Sequence, residues 1–184
     1  MYAKEMVKQS LPLLIVCGLG AIVAGSTLGL MLDLFRRIPG LLIVIPGIIA
    51  LRGNISTALG SRLGSAYHLG VIDEGNLWND ELKENVLGSL VLSFFVSLII
   101  GVFAFLSSFL LNVYLDPVKI IFITVLAGVI SALVQTVMTV GIIFLVFKRG
   151  YDPDNITGPV LATFGDIITI CCIFFVASLV EVML

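Results

Sequence analysis

Five apolar runs, each long enough to cross a lipid bilayer, leave this chain few ways to fold. They cover residues 11–32, 38–66, 86–114, 118–147 and 157–183, where about 20 apolar residues suffice for a span. Hydrocarbon offers no water to backbone N–H and C=O groups, so runs of this kind must bond internally as helices. Composition agrees. Of the 184 residues, 59% are hydrophobic and 12% charged, against roughly 25% charged in a soluble domain. The expected fold is an all-α integral membrane protein, a single domain of residues 1–184 with five transmembrane helices in the cell membrane and no soluble regulatory domain. The net charge of −2 is too small to argue about partners, and no basic tract points to nucleic acid. Cys17, Cys171 and Cys172 lie in apolar runs and form neither a disulfide framework nor a CxxC motif.

The runs differ in texture. The first is too long for a signal peptide and carries a ladder of Ala21, Gly25 and Gly29 suited to close helix contact. A polar turn follows at Asp33, Arg36 and Arg37. The second run is interrupted by Pro46-Gly47, then continues through Arg52-Gly53-Asn54 into a serine- and threonine-rich stretch. There Asn54, Thr57 and Ser61 share one helix face by their i, i+3, i+7 spacing. Such backbone at membrane depth needs protein or a water-filled cavity beside it; otherwise the helix has already left the bilayer near Leu51. Residues 73–85 form an acidic interfacial connection with Trp78 at the headgroup level. The third run has a face rich in phenylalanine, at Phe94, Phe95, Phe103, Phe105 and Phe109, expected to meet lipid or the core. In the fourth, Thr124, Gly128, Ser131, Gln135 and Thr139 make a polar-or-small stripe that suits packing as readily as a conduit. Five spans put the termini on opposite sides. Lys4, Lys8, Lys83, Lys148 and Arg149, against Arg36, Arg37 and Lys119, favour the N-terminus inside.

The last run holds the costliest residue. Asp166 lies along a narrow stripe with Pro159, Thr163 and Thr169, and Asp154 and Asn155 precede it in a polar turn. At 1.5 Å per residue Asp166 is about 14 Å beyond Thr157, near the bilayer midplane. A carboxylate there is a functional-site hypothesis by default. The polar atoms of these stripes are oxygens, and His68, the sole histidine, is outside them. Oxygen ligands suit a hard cation such as Mg²⁺, which keeps waters and needs one or two carboxylates. One chain supplies one deep carboxylate, half the charge of a divalent ion, so a symmetric homodimer is expected to complete the site. No second aspartate or Ser/His arrangement accompanies Asp166, so an enzyme is not expected. A Na⁺- or H⁺-coupled secondary carrier stays open, since an intramembrane carboxylate can relay protons, and so does a non-transporting scaffold.

Two stretches carry a resemblance. PGLLIVIPGIIALRGNISTALGSRLGSAYHLG is similar to the second transmembrane segment of the MgtE and solute carrier family 41 magnesium transporters. GYDPDNITGPVLATFGDIITI resembles the start of that family's last helix. The wording sits closer to the solute carrier 41 side. The resemblance implies a Mg²⁺ channel or transporter with a pore at a two-fold interface, lined by the second and fifth helices. By position it implies that Asp166 and Asn54 meet the ion and that Asp154 and Asn155 belong to the pre-helix motif; Asp154 is a further candidate ligand, and Thr57, Ser61, Thr163, Thr169 and Asn155 are expected to line the path. Mg²⁺ is then the transported ion, with membrane lipid and a second copy as partners. Bacterial MgtE carries cytoplasmic sensing domains before its first helix and eukaryotic relatives carry two repeats, whereas here about ten residues precede Leu11 and one repeat is present.

Overall fold

A computed structural model describes residues 2–72, 78–149 and 153–183, with side chains at 7–8, 10–72, 78–149 and 157–183. Among the described residues the chain is helical: α1 (Tyr2–Leu30), α2 (Leu32–Arg37), α3 (Leu41–His68), α4 (Asp80–Leu111), α5 (Pro117–Lys148) and α6 (Pro153–Met183). All but the six-residue α2 are long and apolar enough to cross a membrane. The five expected spans are therefore present.

Local chemistry sets the ends. Asn79 caps α4 by accepting from the Leu82 N–H at 2.9 Å, and Asp80 and Glu81 occupy the first turn, where carboxylates favour the helix dipole. This is why α4 begins at Asp80, well before residue 86. It ends at Asn112, in the left-handed region with φ 51°, a conformation asparagine tolerates better than most residues. Asp116 then accepts from the N–H groups of Val118 and Lys119, and Pro117 fits the first turn of α5 because no donor is needed there.

The interruption expected at Pro46-Gly47 does not occur, since Leu41–His68 is one helix. Pro46 stands in its second turn, where the missing N–H frees a single carbonyl. Gly47 has a packing role: a Cβ there would lie 3.2 Å from Ile100 of α4. The turn expected at 33–37 is also helical, forming α2. The Arg37 guanidinium, at the end of α2, reaches Glu181 near the end of α6 at 3.9 Å.

Packing centres on α5, which meets α3, α4 and α6, while α6 also meets α3 and α1. The α4–α5 seam is built from small residues. Ser89, Ser93, Ser97, Gly101, Ala104 and Ser108 are all buried, a Cβ on Gly128 would collide with the Ser97 side chain, and one on Gly101 would lie 3.1 Å from the Ile121 backbone. Close backbone approach of this kind drives helix association where lipid is as apolar as leucine. Phe94, Phe95, Phe103 and Phe109 of α4 point outward, as a lipid face requires. The α1 helix is peripheral and packs chiefly on α6. Its ladder of Ala21, Gly25 and Gly29 faces away from the chain, and a Cβ added to either glycine would meet no other described helix within 4 Å. The contact is made instead by Gly20, where a Cβ would lie 2.5 Å from the Thr163 methyl.

Candidate functional site

The α3 helix has two polar faces with different surroundings. On the inner face Ser56 is buried and its hydroxyl donates to Gln135 Oε1 of α5 at 2.8 Å. Gln135 Nε2 donates in turn to the Gly165 carbonyl at 2.9 Å and to Thr169 Oγ1 at 2.7 Å, both on α6. One amide thus ties three helices together inside the bundle. Gly165 makes room for it, since a Cβ there would lie 3.3 Å from Gln135 Oε1.

On the outer face Asn54, Thr57, Ser61 and Ser65 are exposed at the surface of the chain. Thr57, Ser61 and Ser65 line a cavity of about 320 Å³ between α3, α5 and α6, with Thr157 and Gly158 on its far wall. Gly60 and Gly64 also line it. A Cβ on Gly60 would lie 3.1 Å from Leu161, so glycine permits the close approach of α3 to α6. The Thr157 hydroxyl is buried and has no hydrogen-bond partner among the described residues. An orphaned hydroxyl at the edge of a hydroxyl-lined cavity is what a bound water or hydrated ion would satisfy. Thr157 was read from sequence only as a helix start, and nothing in its spacing marks it as a cavity wall.

Asp166 is half-buried on α6, beside Gly165. Asn54 lies two residues from Ser56 on α3. Both therefore adjoin the Ser56–Gln135–Gly165 bridge and share its level in the bundle. Thr163, half-buried, turns its methyl to Gly20 of α1. Thr169 is fully buried and its hydroxyl is taken by Gln135. The backbones of Asp154 and Asn155 lie in the first turn of α6, but their side chains fall outside the described residues. The structure thus brings Thr57 and Ser61 to one cavity, puts Asn54 and Asp166 beside the same bridge, and leaves Thr163 and Thr169 out of the cavity lining, Thr169 being bonded to that bridge.

The stripe of α5 resolves as packing. Thr124, Gly128, Ser131, Gln135 and Thr139 are all buried. Thr124 donates to the Ile120 carbonyl at 2.6 Å and Thr139 to that of Gln135 at 2.8 Å. Among the described residues no group of three or more His, Cys, Asp or Glu could enclose a metal. The donors are mostly oxygens, weakly charged and open on one side, and the His68 imidazole joins them in the cavity lining. The oxygens can hold a hydrated hard cation through its waters, and one imidazole without a thiolate or a second histidine falls short of the set that softer metals favour.

Comparison with known proteins gives a consistent result. The sequence profile described as "Divalent cation transporter", MgtE, matches residues 45–176. Solute carrier family 41 member 2 of Homo sapiens is 29% identical over 183 residues, an alignment covering 94% of this chain and 31% of that protein. The Gallus gallus member 2 is 27% identical over the same length. Solute carrier family 41 member 3 of Rattus norvegicus is 26% identical over 174 residues, covering 90% of this chain and 37% of its own length. The chain spans about a third of the length of the curated relatives it matches.

Proposed function

This chain belongs to the MgtE divalent cation transporter family, and from that premise we propose that it carries Mg²⁺ across the membrane along a path between α3 and α6. The observation that carries this reading is the outer face of α3. Asn54, Thr57 and Ser61 are exposed on a membrane-spanning helix, and Thr57 and Ser61 line a cavity whose wall also carries Ser65, His68 and Thr157. Lipid cannot satisfy such a face, whereas water or a hydrated ion can.

In this reading Asp166 supplies the charge. It stands level with Asn54, and one carboxylate with neutral oxygens matches the modest ligand demand of Mg²⁺. A second copy of the chain covers the α3 face and brings a second Asp166, so that two carboxylates balance one divalent ion. Asn54, Thr57 and Ser61 line the path, and Asp154 and Asn155 form its mouth at the start of α6. We assign Thr163 and Thr169 a supporting part, because their contacts with Gly20 and Gln135 hold α6 in place.

The test is Mg²⁺ flux into proteoliposomes reconstituted with the full chain in the cell-membrane orientation and its reverse. Wild-type protein should conduct, and Asp166→Asn should lose at least tenfold of that flux while folding normally. Equal flux from the two proteins would remove Asp166 from the path. Flux that requires a Na⁺ or proton gradient would make the protein a coupled carrier instead.

A further inference from the structure

Arg52 stands inside the bundle without a visible reason. It is 2% exposed, and its Nη2 has no hydrogen-bond partner among the described residues. A guanidinium cannot shed its proton to escape burial, so its charge must be accommodated where it lies. Ion pairs among the described residues join Arg36 to Asp33, Arg37 to Glu181 and Lys83 to Asp80, and none involves Arg52.

Position supplies the reason. Among the described spans, two charged side chains lie more than two turns from either helix end, Arg52 on α3 and Asp166 on α6. Arg52 is one turn from Ser56, which joins Gln135, and Gln135 joins the residue next to Asp166. The two charges are therefore at neighbouring levels of the same bundle. No ion pair joins them among the described residues, and Arg52 is on the buried side of α3 while Asn54, two residues on, is on the exposed side. A charge held at such a range in a medium of low dielectric still contributes to the potential at the carboxylate.

We propose that Arg52 is a fixed internal counter-charge that weakens divalent-cation binding at Asp166, so that the ion is released rather than trapped. The proposal rests on the Asp166 site described above and deepens it. Conduction needs a site favourable enough to enter and weak enough to leave. Two carboxylates and one divalent ion sum to zero, a neutral arrangement that low dielectric makes hard to dissolve. Two buried arginines leave the occupied site with a surplus of positive charge, which favours departure. Arg52 does not contact the ion, so its effect is on affinity and release and not on the ligand set.

The experiment reads equilibrium binding first. The full chain in detergent micelles is titrated with Mn²⁺, and the free aquo ion is followed by its paramagnetic resonance signal. Arg52→Gln and Arg52→Met remove the charge in two ways, one keeping polar atoms and one keeping an unbranched stem, so a folding failure in one leaves the other. Either should bind Mn²⁺ at least tenfold more tightly than wild type, with a lower saturating Mg²⁺ flux in proteoliposomes. Arg52→Lys, which keeps the charge, should restore both values. Unchanged or weaker binding in a folded charge-removing variant overturns the proposal. Asp166→Asn is the control that separates the two claims. If it loses Mn²⁺ while the Arg52 variants match wild type, only the role of Arg52 falls. If it binds like wild type, the site itself falls and the proposal with it.

Discussion

The polar stripes of α3 and α5 look alike as sequence and have opposite fates in the fold. Each sets hydroxyl, amide and glycine positions at helical spacing through an apolar helix. Along α5 every member from Thr124 to Thr139 is buried, and its hydroxyls close onto carbonyls of their own helix or meet the small face of α4. Along α3 the outer members Asn54, Thr57 and Ser61 stay at the surface, and Thr57 and Ser61 border a cavity. A hydroxyl that bonds its own helix needs nothing further and serves packing. One that faces open space in a membrane needs water, an ion or another chain. Partners, and not residue types, separate structural polarity from functional polarity.

The comparison can be broken or sharpened by substitution. The largest effect should come from Asp166→Asn, with at least a tenfold loss of Mg²⁺ flux and an unchanged melting temperature in detergent. If melting moves with flux, the α6 carboxylate belongs with the structural set. Next comes Gly128→Val, which forces a branched side chain into Ser97. Overpacking of this kind costs about 1–3 kcal/mol, so unfolding in a denaturing detergent should occur earlier while flux per folded molecule holds. Gln135→Leu should cost about 1–2 kcal/mol by leaving the Ser56 and Thr169 hydroxyls without their partner. The same unfolding assay reads it, and a neutral result would mean water replaces the amide. The smallest effect on stability, within about 0.5 kcal/mol, is expected for Asn54→Ala at an exposed position. Its mark should be a severalfold change in the ratio of Mg²⁺ to Ca²⁺ flux; an unaltered ratio would move Asn54 to the inert surface.

The spans were legible in the sequence because the bilayer enforces them, and hydropathy alone locates a stretch that must bond internally. The ends were less so. Asn79 with Asp80 and Glu81 is a cap signal, yet an acidic run beside Trp78 reads as a loop until the Leu82 N–H is seen on the Asn79 side chain. Pro46 and Gly47 look like a break, but a proline in the second turn forfeits little and Ile100 needs the glycine. Asp166 could be singled out from depth and charge. The burial of Arg52 could not, since periodicity gives the faces of a helix without saying which one meets a neighbour. Thr169 shows the same gap: its stripe is shared with Asp166, and only the arrival of Gln135 from α5 takes its hydroxyl.

The peripheral place of α1 has a consequence for how the protein is made. This helix is the first of the described spans to leave the ribosome, yet its main contact is with α6, the last. Until residues around Thr163 emerge, Gly20 has no methyl to receive, and α1 must wait in lipid as an independent helix. Its surface suits that wait, with Leu14, Ile15, Leu19, Ile22 and Val23 turned outward. For these two helices, synthesis order and packing order run in opposite directions.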